Sequence, residues 1–138
     1  RHHFNLFSVS SGLLWDMECP KHGPDSVLTI PKHNLCTFVC YIPTRIIVVS
    51  LTDGMIQRII DIGSLYQCSH FHSVADSLLA SYVKNDKYYV VDARTGQGSV
   101  HSFSMSEVTN CHFFLDRIIA WNDKEIQTVC FTPELSRQ

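Results

Sequence analysis

Charge is scarce in this chain. Of its 138 residues only 17% are Asp, Glu, Lys or Arg, where an ordinary soluble domain carries about 25%. The 11 Lys and Arg gather in no cluster. A protein that grips nucleic acid by its phosphates needs those cations on one face, so nucleic acid is not an expected partner. Paired basic residues of the kind that dock a phosphoinositide headgroup are missing too. No apolar run approaches the roughly 18–20 residues that span a bilayer, and no membrane partner is expected. The first residues, Arg1-His2-His3, hold neither an initiator Met nor the apolar core of a signal peptide. The chain reads as a piece of a longer polypeptide. Its charge deficit fits that reading, because surface buried against something outside the chain has no need of charge.

Phosphate-cradling motifs are absent as well. There is no GxxxxGK[ST] and no GxGxxG; Gly96-Gln97-Gly98 leads from one strand-like run into another, without the helix that phosphate binding requires. The six cysteines (Cys19, Cys36, Cys40, Cys68, Cys111, Cys130) form no CxxC pair. Their even number permits three disulfides, yet most lie in apolar runs where a thiol acts as a small hydrophobe. Reduced cysteines and a cytoplasmic protein are expected. Helical periodicity is weak; residues 13–17 and 73–79 come nearest to it, and both fit better as β.

What is present is a repeat. Aliphatic and aromatic residues reach 45%, enough for a folded core. Gly12, Gly54 and Gly96 stand 42 residues apart, each closing a similar phrase: FNLFSVSSG at 4–12, IIVVSLTDG at 46–54 and YYVVDARTG at 88–96. Leu6, Val48 and Val90 share a register, as do Phe7, Val49 and Val91. His70-Phe71 recurs at the same interval as His112-Phe113. Asn85-Asp86-Lys87 recurs as Asn122-Asp123-Lys124 after 37 residues, which implies a shortened hairpin in the last unit. A period of about 40–45 residues with several short strands per unit is that of propeller blades.

Strands are expected at 26–30, 35–41, 45–51 and 55–60 in one unit, and at 65–72, 78–83 and 88–93 in the next. Residues 97–103 are expected to open a further unit, with strands at 108–114, 117–121 and 125–131. Turns fall at 75–77, 84–87 and 94–96, and Gly54 and Gly96 are expected at positive φ. The units span about 20–61, 62–103 and 104–138, preceded at 1–19 by the last strands of an earlier one.

The segment LLASYVKNDKYYVVD at 78–92 resembles the core of a WD40 repeat. Asp92 stands at the Asp position of that motif and Val91 where its Trp would be, and Asp92-Ala93-Arg94-Thr95-Gly96 completes the phrase. Ser8 and Ser50 replace the Asp in other units, Phe7 and Val49 replace the Trp, and no Gly-His opens a unit. The resemblance covers nearly the whole chain as periodicity and about 20 residues as motif. It implies an all-β fold of about three consecutive four-stranded antiparallel blades of a WD40-like β-propeller. The ring would be partial, since 138 residues hold about 3.3 such units and closed propellers have typically 4–8. The departures imply blades held more by apolar packing than by the family's Asp-His-Ser/Thr-Trp network. Similarly eroded repeats occur in the C-terminal propellers of NACHT-and-WD-repeat proteins. That likeness implies a ligand-sensing or autoinhibitory scaffold.

Several residues invite chemistry. His70 and His72, two apart on an expected strand, would share a face, with Cys68 and His112 as possible co-ligands of zinc. Their recurrence with the repeat explains them as products of the fold, and no metal is expected. Cys36 and Cys40 share a strand face but sit too far apart to chelate, so core packing is the reading. Cys111-His112 points to opposite faces and cannot form a thiolate–imidazole pair. Asp92 is expected to accept hydrogen bonds from N–H groups of the following turn, not to catalyse. Trp15, Trp121, Tyr88 and Tyr89 are candidate interface anchors, about half of them buried by strand alternation. No catalytic, cofactor or metal residue follows from these patterns. The function expected is a non-enzymatic protein–protein interaction scaffold, whose partners include the remaining blades of its own propeller. The alternative is a fragment of a hydrolase- or lyase-type enzymatic propeller.

Overall fold

A computed structural model describes residues 2–8, 12–19, 25–40, 44–62, 70–84 and 86–131. The chain is all-β: these residues form thirteen strands and one short turn of 3-10 helix at Pro31–His33. It divides into two compact units, 1–65 and 66–138.

In the first unit β1 (His2–Ser8) and β2 (Gly12–Cys19) make an antiparallel pair. Strands β3 (Asp25–Ile30), β4 (Leu35–Cys40), β5 (Arg45–Ser50) and β6 (Ile56–Asp61) follow as an antiparallel meander. β-branched residues dominate β5 because they pack well on a pleated surface. Five consecutive residues are buried in each of β4 and β5, so both faces of this sheet are covered. Cys36, Phe38, Cys40, Ile47 and Val49 cluster on one face; Thr37, Val39, Ile46 and Val48 fill the other.

The second unit holds two sheets. One runs β7 (His72–Ala75), β8 (Leu78–Val83), β9 (Lys87–Asp92) and β10 (Gly98–Ser102). The other runs β11 (Asn110–Phe114), β12 (Arg117–Trp121) and β13 (Ile126–Cys130). They pack face to face around Val74, Ala80, Tyr88, Phe103, Met105, Ile118 and Ala120. Each such large apolar side chain contributes roughly 1.5–3 kcal/mol by leaving water. The first strands β7 and β11 lie together along the seam, and the Asp116 amide donates across it to the Val74 carbonyl.

The spacing of strands follows the repeat. Both β5 and β6 recur 42 residues later, as β9 and β10. Gly54 and Gly96 adopt φ of 74° and 80°, and each donates its amide to the strand-ending residue, Ser50 or Asp92. Two expectations need correction. The last unit is shorter because the connection into β11 (103–109) has three residues fewer than that into β7 (62–71), not because a hairpin contracts. Residues 97–103 do not open a unit. The Gly96 turn lays β10 back along β9, with Gly98 opposite Val91, and closes the same sheet as its fourth strand. Of the strand expected at 65–72, residues 65–69 lie outside the described residues; His70 and Phe71 precede β7, which opens at His72. Among the described residues no helix is long and apolar enough to cross a membrane.

Candidate functional site

The seam between β7 and β11 gathers the reactive side chains. A pocket of about 300 Å³ is lined there by His70, His72, Tyr82, Val108, Thr109, Asn110, Cys111 and Phe113. The His72 ring lies flat on Phe113, with centroids 4.5 Å apart and planes 5° from parallel. Burial lowers the His72 pKa below that of free imidazole, and the nearby His70 and His112 push it the same way. Burial also raises the Cys111 thiol and, with help from the Asp86 charge, the Tyr82 phenol. Asp86 frames the rim. Its carboxylate accepts from Tyr82 Oη at 3.3 Å and from the Val108 amide at 3.2 Å, while its carbonyl accepts from Phe103 N. The β8–β9 turn thereby holds the connection that forms one wall.

Neutral imidazole, thiol and phenol can hydrogen-bond and stack, but a thiol held protonated is a poor nucleophile. Among the described residues no group of three or more His, Cys, Asp or Glu is placed to hold a metal ion. The shared-face argument for His70 and His72 fails, because His70 is not in the strand. The repeat relation between His70 and His112 fails too. His72 lies opposite Ala80, one residue past buried Leu79, and His112 lies opposite Ile119, one past buried Ile118. The counterpart of His112 is thus His72, 40 residues away (112 − 72) and not 42, because the connection into β11 is shorter than that into β7. Cys111 and His112 do part to opposite faces, yet Cys111 and His72 line one pocket from the two sides of the seam, a grouping that adjacent-residue reasoning cannot find. Cys68 lies outside the described residues.

Asp92 is structural. Its carboxylate accepts from the Arg94 amide at 2.8 Å and from Ser77 Oγ at 2.7 Å, and the Ala93 amide donates to the Ser77 carbonyl. The first sheet ties the same knot with other residues. Ser50 Oγ accepts from the Thr52 amide at 3.2 Å and from Asn34 Nδ2 at 3.3 Å, and the Leu51 amide donates to the Asn34 carbonyl. In the third sheet the same backbone strap runs from Phe131 N to Asp116 O, and the Asp116 carboxylate turns to Arg117 Nε at 2.8 Å; the turn that follows lies outside the described residues. Asn34 and Ser77 were missed from sequence, although each stands just before the second strand of its sheet, where Asp116 also stands.

Cys36 and Cys40 pack as thiols in the first sheet's core, and burial lifts Cys36 to about 11. Tyr88 and Tyr89 are both buried, contrary to their reading as anchors, because both faces of their sheet are covered. Trp121 is half-buried, and the Trp15 side chain lies outside the described residues.

Neither a family model nor a curated protein sequence matches the chain.

Proposed function

We propose that this chain supplies consecutive blades of a WD40-like β-propeller, part of a larger protein, and that the ring works as a non-catalytic scaffold for protein partners. One observation carries the reading. In the second unit, the face of the second sheet that packs on the third holds Ala80, Tyr82 and Tyr88. The corresponding positions of the third sheet, Ile119, Trp121 and Ile126, lie on its outer face. Tyr88 is 8% exposed, whereas Ile126 is 74% exposed; at the other end of the third sheet Phe114 is 43% exposed on the same face and Leu115, in the turn, 74%. The third sheet therefore carries outward the same kind of face that the second presents to it, and that face is bare. A series that stacks head to tail closes only as a ring or runs on as a fibre, and blades around an axis are the ring solution.

Free cysteines buried as thiols support a reducing, cytoplasmic setting. The enzymatic alternative gains nothing from the pocket, whose thiol is held protonated and whose lining, among the described residues, includes no carboxylate. The likeness to NACHT-and-WD-repeat proteins makes a sensing or autoinhibitory scaffold the finer form of the reading. Sedimentation velocity tests it. The chain alone is expected to self-associate through the bare face, and a Leu115→Lys/Ile126→Lys variant to shift toward monomer. A wild-type chain that sediments as a monodisperse, cooperatively folded monomer would overturn the reading.

A further inference from the structure

We propose that the seam between the second and third sheets is a proton-sensitive joint, with the imidazole of His72 as the group that reads pH. It rests on the joint's own geometry and stands apart from the scaffold reading.

His72 comes from β7 and lies flat against Phe113 of β11, so its ring is part of the packing between two sheets. As a neutral imidazole it stacks like any aromatic ring. As an imidazolium it must be charged inside a partly dry seam, beside two further imidazoles. Attraction of the cation for the Phe113 ring opposes that cost. On the other side stand burial first, then the charges of His70 and His112, all of which depress the His72 pKa.

The surrounding titratable groups do not neutralise the charge. From β8, Tyr82 faces the pocket, and from β11, Cys111 does; burial pushes both upward, so both stay uncharged where imidazoles titrate. His112 stands on β11, and His70 precedes β7. Asp86, the carboxylate at the rim, is committed to Tyr82 Oη and the Val108 amide. At the β11–β12 turn, Asp116 and Arg117 pair with each other.

The sign follows from linkage. A folded-state pKa below the unfolded one means that the unfolded chain takes up protons first as pH falls. The stability of the seam is complete above about 6.5, the ordinary imidazole value, and is lost as pH falls toward the depressed folded value. Val74, two residues beyond His72, accepts the amide of Asp116, so loosening at His72 reaches the backbone link between the sheets.

The test compares wild type with His72→Phe, which keeps a ring on Phe113 but cannot be protonated. Melting temperatures are measured at about pH 7.5 and about pH 5.5, on either side of the imidazole range. Wild type is expected to lose melting temperature on acidification, and His72→Phe to lose at most about half as much. A proton NMR titration of wild type gives the second measurement and does not depend on the variant folding. His72 is expected to titrate below free imidazole, and to move upward in His70→Gln and in His112→Gln. An equal acid loss in wild type and His72→Phe overturns the proposal. So does a His72 ring that titrates at or above the free value.

Discussion

Tyr88 and Ile126 occupy matching places in successive sheets, Tyr88 paired with Tyr82 and Ile126 with Trp121, each on the same relative face. One is covered and the other is bare. The strands around them differ little in length or register, so the difference is not one of local conformation. It lies in what is packed against them. A β-strand's sequence records its environment on two faces, and in the third sheet only the inward face is apolar core: Ile118 and Ala120 are fully buried, while β11 and β13 alternate with exposed residues throughout.

The sharpest way to break this comparison is to truncate both residues. Tyr88→Ala removes a ring that packs on Phe103 at 4.8 Å and on His101 at 5.2 Å. It is expected to destabilise the protein by about 3–5 kcal/mol, the usual cost of an aromatic lost from a core. Ile126→Ala is expected to cost less than about 0.5 kcal/mol, because the side chain already stands in water. Urea unfolding of the two variants measures both. Equal losses would show that the third sheet's outer face is covered and that the contrast is false.

A second prediction concerns the turns that end β5 and β9. Gly54 and Gly96 hold positive φ, a region costly for a β-branched residue. Gly54→Val and Gly96→Val are each expected to lower stability by roughly 1–3 kcal/mol. Unchanged melting temperatures would mean that these turns can be rebuilt without the left-handed residue.

Those glycines were legible in the sequence because a 42-residue period and a chemical necessity coincide at them. The strands of the apolar runs were legible for a similar reason: β8 and β12 fall where alternation and flanking turn residues place them. What could not be read was relational. Residues 97–103 carry no mark of which neighbour they will pair with, since a strand's hydrogen bonds are the same for either sheet. The pairing is decided by the Gly96 turn, which returns the chain along β9. The histidine seam was hidden by the shorter connection into β11, which displaces a fixed-interval count and makes His70 look like the partner of His112. Tyr88 and Tyr89 point to opposite faces, and alternation alone suggests that one of them is exposed. Only cover on both sides of the sheet buries both.

The smallest expected effect comes from the polar knot. In the second sheet a carboxylate binds the turn amide of Arg94 and the hydroxyl of Ser77; in the first, the hydroxyl of Ser50 binds the amide of Thr52 and the amide group of Asn34. A charged acceptor makes shorter and stronger hydrogen bonds than a neutral one, and the distances follow that order, 2.7–2.8 Å against 3.2–3.3 Å. Asp92→Ala is therefore expected to cost about 1–2 kcal/mol and Ser50→Ala about 0.5–1 kcal/mol. Asp92→Ser, which installs the first sheet's acceptor in the second, is expected to fall between wild type and Asp92→Ala. Thermal unfolding of the three variants ranks them. If Ser50→Ala proved the costlier, the knot's strength would not depend on the acceptor's charge.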